Sequence, residues 1–261
     1  MPDTAYEEIR RLLASTQPQD LRAGLELVKN EIAIAGAHDA RPLFEIVSSV
    51  FYIDTLDNPE FLPVIEQAIE LVGGFGAWVI PILVENLDTG DLKAELATAQ
   101  ALGMIGAEAI DPLMEQYRDI PDPSCRAFVV YALGKIKSPQ IARSVPLALE
   151  SARSENRELR DTAIRAIGKL AESIEPGRWP QSTRDQCVSV LTAALADTNS
   201  GIRAKAVRSL GKMAKFAHLD GEERKKLETM CLRLIGKDES YEWDHAFIVR
   251  KEAELALGSC R

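Results

Sequence analysis

The sequence lacks the marks of membrane insertion, export and metal chemistry. Its longest apolar run, Ala77 to Val84, has eight residues and contains Pro81, well short of the roughly 20 residues that span a bilayer. The N-terminus, Met-Pro-Asp-Thr-Ala-Tyr-Glu-Glu-Ile-Arg-Arg, has no basic-then-apolar secretory pattern, so a cytoplasmic location is expected. The four cysteines, Cys125, Cys187, Cys231 and Cys260, are 62, 44 and 29 residues apart with no C-x-x-C pair, a spacing unlike a disulfide scaffold or a zinc finger. The three histidines are scattered, and His38-Asp39 and Asp244-His245 are isolated doublets. P-loop, G-x-S-x-G and G-x-G-x-x-G motifs are missing, so the reading leans away from an enzyme. Basic charge is also in deficit, with 31 Lys and Arg against 40 Asp and Glu for a net charge of −9. The field of such a chain repels nucleic acid and anionic membranes.

What the sequence has is a repeat. A small residue, an aliphatic one and then glycine recur at Gly103, Gly134, Gly168, Gly211 and Gly258, with a looser copy, Leu71-Val72-Gly73, before them, at intervals of 30, 31, 34, 43 and 47 residues from Gly73 onward. That period accommodates two helices and two turns. A second helical stretch precedes the later copies, for example Pro112 to Arg118, Ile141 to Ala152 and Glu222 to Ile235. Breakers such as Pro121-Asp-Pro-Ser124 and Asp197-Thr-Asn-Ser-Gly201 mark the joints. The last two intervals are stretched by inserts between helices. No segment joins strand-like alternation to hairpin turn residues, so essentially no β structure is predicted.

At 100° per residue, the positions nine, five, four, two and one before each glycine, and two after it, share one face. In the Gly211 copy these are Ile202, Ala206, Val207, Ser209, Leu210 and Met213, and in the Gly134 copy Cys125, Val129, Val130, Ala132, Leu133 and Ile136. That face is the predicted core, which places Cys125 and Cys260 inside as small hydrophobes, with Cys187 and Cys231 buried in the partner helices. One helix pair cannot bury its stripe alone, so the pairs must stack. One domain is expected over 1–261, with an N-terminal helical cap at 1–57 and repeats at 58–261.

The period, the arginine eight before glycine at Arg126, Arg160, Arg203 and Arg250, and the Ala-Leu-Gly endings resemble HEAT-like repeats of the phycobilisome-lyase family. The Gly73 and Gly103 copies depart from that pattern, with Ile65 and Glu95 in place of the arginine. The resemblance implies an all-α, right-handed α-α superhelix, a HEAT-like solenoid of about six helix pairs plus the cap, with the second helix of each pair lining the concave side. HEAT-like metal hydroxylases carry repeated His-Glu pairs, and this sequence has none.

If the glycine helix faces the concave side, its exposed positions form a basic ladder of Lys135, Arg165, Lys169, Lys205, Arg208 and Lys212 beside Tyr131. The ladder is the candidate surface for a protein partner with an acidic face, and a solvated helix face is the plainer alternative. Trp179, Tyr241 and Trp243 lie in the two inserts, as aromatic anchors or as plugs of exposed core. Three functions stay open. The first is a non-catalytic scaffold or assembly chaperone, with phycobiliproteins as the client class implied by the resemblance. The second is a bilin lyase subunit handling a tetrapyrrole. The third is an accessory of iron-sulfur assembly using a cysteine. No cofactor of its own is expected, and a bilin or cluster would enter only through a partner.

Overall fold

Three of the repeating second helices, those carrying Arg126, Arg160 and Arg203, begin at a side-chain cap four residues before the arginine. Asp122 accepts the Ser124 amide at 2.9 Å, Asn156 the Leu159 amide at 2.9 Å and Asn199 the Ile202 amide at 3.2 Å, satisfying donors that a helix N-terminus leaves without partners. The computed structural model describes residues 2–36, 41–239 and 242–260. It divides into two compact units, Met1–Gln116 and Tyr117–Arg261. This boundary lies away from the cap-to-repeat joint expected at 57/58. Among the described residues there are fourteen α-helices, and the β structure is one isolated bridge between Ile235 and Trp243.

The first unit contains α1 (Pro2–Leu13), α2 (Pro18–Ala35), α3 (Arg41–Ser49), α4 (Leu62–Gly73), α5 (Ile80–Glu85), α6 (Leu92–Ile105) and the greater part of α7 (Ile110–Asp119). Helices α2, α4 and α6 pack side by side, with α1, α3 and α5 behind them. Phe44, Phe75 and Trp78 meet edge to face at 5.5–6.1 Å between ring centroids, and the Arg41 guanidinium lies 4.6 Å over Trp78. The segment expected to be a cap thus takes the same two-row arrangement as the repeats. Helix α3 is the first helix of the Gly73 pair, which the glycine motif could not reveal because it marks only second helices. No single helix among the described residues is long and apolar enough to cross a membrane.

The second unit contains α8 (Pro123–Leu133), α9 (Val145–Ser151), α10 (Arg157–Ser173), α11 (Gln181–Ala193), α12 (Ser200–Lys215), α13 (Gly221–Leu234) and α14 (Phe247–Cys260). Its second helices α8, α10, α12 and α14 touch one another in sequence far more closely than α9, α11 and α13 do. The row with the tighter spacing is the inner, concave one.

The repeat glycine permits this close approach. A Cβ on Gly168 would stand 2.5 Å from Ser209 Oγ and 2.8 Å from the Ser209 Cα, and one on Gly211 would stand 3.0 Å from the Ala256 Cβ. At Gly134 the nearest neighbour, the Ala166 Cβ, would be 3.4 Å away. Each glycine meets the small residue two places before the next repeat's glycine, so the motif records both halves of one helix–helix contact.

The repeat arginines tie successive joints. Arg160 Nη1 donates to the Ser154 and Glu155 carbonyls at 2.8 and 3.1 Å, while its Nε reaches Asp197 at 2.8 Å. One repeat on, Arg203 Nη1 donates to the Asp197 and Thr198 carbonyls at 2.9 and 3.2 Å, and its Nε and Nη2 grip Asp244 at 2.7 and 2.9 Å. Arg250 closes the series on the Asp244 and His245 carbonyls at 2.7 and 2.9 Å. In α14 the outer edge carries exposed Lys251 and Glu254 where α12 has buried Ala204 and Val207, giving the end of this stack a polar face.

Cys187 and Cys231 are buried as expected, and burial pushes both thiols up to about 12. Cys125 and Cys260, expected in the core, are only half-buried. They occupy the first turn of α8 and the last residue of α14, where neighbouring helices no longer cover them.

In a helix interior, Gly→Ala gains about 1 kcal/mol of propensity, and overpacking costs about 1–3 kcal/mol. Gly168→Ala should therefore lower stability by roughly 1–2 kcal/mol, whereas Gly134→Ala should be neutral or mildly stabilising. Urea unfolding midpoints check both, and Ser209→Gly should restore part of the Gly168→Ala loss.

Candidate functional site

On the inner row, the positions three before and one after each glycine point away from the core. The structure brings the whole expected ladder onto this surface of the second unit, although its members are not equivalent. Lys205 pairs with Asp161 across α10 and α12. Lys212 reaches Glu172 across the same joint, and Lys169 reaches Glu172 along α10 at 3.2 Å. Arg208 holds the buried Glu252 of α14 with two guanidinium contacts, Nε at 2.9 Å and Nη2. Four of the six ladder cations are therefore engaged with carboxylates.

Lys135 and Arg165 differ. Neither has a carboxylate partner among the described residues. The Lys135 ammonium lies 5.0 Å from the Tyr131 ring centroid and the Arg165 guanidinium 5.8 Å from it, cation–π contacts worth about 0.5–1 kcal/mol at an exposed site. Tyr131, Lys135 and Arg165, with Lys169, rim a dimple floored by Gly134 and Ala166 and holding about 20 Å³. The equivalent place between α12 and α14 is a pocket of about 310 Å³, floored by Gly211 and Ala256 and rimmed by Arg208, Lys212 and Lys215. Lys215 was not singled out from sequence because it lies four residues beyond the glycine, outside the positions that define the ladder. Across this network seven cations, including Lys215, face Asp161, Glu172 and Glu252. The surplus of four positive charges sits on a chain of net charge −9.

The two inserts behave differently. Trp179 is 5% exposed and stacks on His218, ring centroids 4.9 Å apart, while His218 Nε2 lies 2.9 Å from the Ala171 carbonyl. Trp179 is thus a plug, and the anchor role is corrected: the Glu175 to Pro180 insert folds its ring into the joint because the longer interval leaves space there. Trp243 is 55% exposed although its backbone is fastened, through the bridge to Ile235 and an Asp244 amide donating to the Leu234 carbonyl at 3.0 Å. Tyr241 and His38 lie outside the described residues.

Sequence reasoning missed the acceptors of the repeat arginines. The signal was present: Asp197 and Asp244 each stand six residues before an arginine, Arg203 and Arg250, and take the arginine of the repeat before through their carboxylates.

Several of these carboxyls are held below the usual range. At Asp244 the Arg203 guanidinium is the main cause and outweighs burial. At Asp197 burial pushes upward, and the Asn199 amide with Arg160 and Arg203 reverses it. At Glu172 burial is likewise overcome, by Lys212 and Lys169. A carboxyl depressed in the folded state stabilises it above the ordinary carboxylate pKa of about 4, and this contribution is lost as pH falls through the lower folded-state value. His218 acts from a higher pH. Burial lowers its pKa, so stability begins to fall as pH drops below the ordinary imidazole value.

HEAT repeats are matched at residues 110–177 and 145–233, and a PBS lyase HEAT-like repeat at 96–119. No curated protein matches the sequence. Among solved structures, the complex of CpcE and CpcF of phycocyanin lyase from Nostoc sp. PCC7120 is similar, at TM-score 0.55 and 21% identity over 69% of this chain and 98% of that one. Kap121p superposes at TM-score 0.67 and 14% identity over 99% of this chain, which spans 30% of Kap121p. Computationally designed armadillo repeat proteins for modular peptide recognition give 0.51 and 18% identity, covering 96% of this chain and 98% of theirs. At these identities the likeness is one of fold, an all-α superhelix of stacked helix pairs.

Asp244→Asn should cost about 1.5–3 kcal/mol at pH 7, the range for hydrogen bonds to charged groups. The gap from the parent protein should be smaller at pH 3, below the ordinary carboxylate value, because the parent loses this carboxyl's contribution as pH falls toward its lower folded-state value. Urea titrations followed by circular dichroism at the two pH values check this.

Proposed function

We propose that this HEAT-repeat protein is a non-catalytic binding scaffold or assembly chaperone, whose inner face in the second unit takes a partner through an acidic surface. The observation that carries the reading is the pair of unneutralised cations, Lys135 and Arg165, held over the Tyr131 ring on two helices locked by glycine contacts. Cations on a rigid support lose little freedom when a carboxylate arrives, and the surrounding positive surplus steers an acidic partner inward. The ion-paired members, Lys169, Lys205, Arg208 and Lys212, contribute to that field and fix the register between helices.

Phycobiliproteins are the client class in this reading. Its support is the PBS lyase HEAT-like repeat at 96–119 and the likeness of fold to a subunit of a phycocyanin lyase complex. The same two observations favour a second reading, in which the chain is a lyase subunit and the cations hold the carboxylates of a bilin. Pigment separates the two. A lyase subunit carries or transfers bilin, whereas a scaffold holds the client without doing so. An iron-sulfur role through Cys187 or Cys231 is disfavoured by chemistry, because both thiols are fully buried and held protonated.

Lys135→Glu with Arg165→Glu should leave the helical melting curve nearly unchanged, since no carboxylate loses its partner. Isolated phycocyanin subunits at low salt should bind the double variant at least tenfold more weakly, with a flattened salt dependence. Titration calorimetry and an absorption spectrum of the complex measure both properties, and unchanged affinity overturns the assignment of the site.

A further inference from the structure

The inner row repeats one geometry three times, at the α8–α10, α10–α12 and α12–α14 joints, and the three are chemically different. At the first, the Gly134/Ala166 dimple is open and its Lys135 and Arg165 have no carboxylate partners among the described residues. At the second, Ser209 fills the space against Gly168 and turns its hydroxyl to the Ile164 carbonyl at 2.9 Å, while Asp161 pairs with Lys205 and Glu172 is shared by Lys169 and Lys212. At the third, the Gly211/Ala256 pocket opens to about 310 Å³. Lys215 there is exposed, without a carboxylate partner among the described residues, with its ammonium 5.7 Å from the Phe216 ring. Leu255, at the position held by Tyr131, Arg165 and Arg208 in the earlier repeats, is 63% exposed on the same rim, and Ser259 adds a hydroxyl.

We infer that the face is bipartite, and that its occupant is a single polypeptide segment with two carboxylate clusters, the second flanked by an aliphatic side chain, joined by a neutral spacer. The inference rests on the docking reading above and specifies the partner it takes. Charge complementarity gives the two clusters, because cations without a carboxylate contact among the described residues stand at the two outer joints, whereas the middle joint is closed and each of its cations touches a carboxylate. The apolar neighbour follows from Leu255, which offers aliphatic surface beside the Lys215 ammonium. The spacer follows from helix packing. The outer joints are two interhelical steps apart, and at 8–10 Å per step this is about 16–20 Å. An extended chain covers about 3.3–3.6 Å per residue, so the spacer is about five or six residues. Engaging both joints makes the second contact intramolecular and raises affinity without any new kind of interaction.

Two capped synthetic peptides of identical composition test this at low salt by fluorescence anisotropy. In one, two Glu-Glu-Leu clusters are separated by six Gly and Ser residues; in the other the clusters are adjacent. The spaced peptide should bind at least tenfold more tightly. Lys215→Glu, and independently Leu255→Ser, should remove that advantage and leave the adjacent peptide unaffected, both positions being exposed and neither one serving the core. Equal binding of the two peptides, or an advantage that survives both variants, overturns the bipartite inference; binding of the adjacent peptide that is lost in Lys135→Glu/Arg165→Glu would then still support the first site. Failure of both peptides to bind overturns the docking reading and this inference together.

Discussion

The close approach of consecutive inner helices at glycine is the constraint on which the second unit depends. With Gly168 and Gly211 set against Ser209 and Ala256, the inner row is spaced more tightly than the outer, and the stack must curve toward it. The same contact shapes the surface. Where small residues meet, the helix backbones come together beneath a shallow depression, and the side chains three before and one after glycine become its rim. Packing and binding geometry therefore share one cause. A larger side chain at the glycine would fill the depression as well as push the helices apart.

Charge on this unit does two jobs that differ in burial. The Arg160–Asp197–Arg203–Asp244–Arg250 series lies at the joints, where Arg203 and Asp244 keep only 18% and 8% of their side-chain surface exposed. Each arginine there also satisfies carbonyls of its own turn, so loss of a partner would leave buried polar groups without hydrogen bonds, a cost well above that of a surface pair. Of the inner-face pairs, those of Lys169 and Lys205 are more open, and such pairs contribute about 0–1 kcal/mol each, whereas Arg208 holds a buried carboxylate in Glu252. Their larger effect is to decide which cations stay available. Asp161 and Glu172 engage the middle of the ladder, and Lys135, Arg165 and Lys215 remain without a carboxylate contact among the described residues.

The repeat, its period, the absence of strands and the buried face of each second helix were legible in the sequence, because helical periodicity and the glycine motif are local signals. The inner position of the basic ladder was legible too, once the glycine helix was placed on the concave side. Cys125 and Cys260 were misjudged because position in the repeat says nothing about the thinning of neighbours at a helix end. Trp179 could be read as anchor or plug until the insert was seen folded against His218. The arginines' acceptors were visible only as a spacing, Asp six residues before Arg, whose meaning appears when the next repeat stacks.

By itself the sequence determined the helix pairs and which face of each is apolar, since both follow from the order of residues along one helix. Tertiary structure decided which of the ladder's cations are free. That choice depends on carboxylates supplied by neighbouring helices, such as Asp161 against Lys205 or Glu252 against Arg208, some 44 residues apart in the chain. Pairings at that separation carry no local periodicity, and only the stacking at glycine brings the partners within reach.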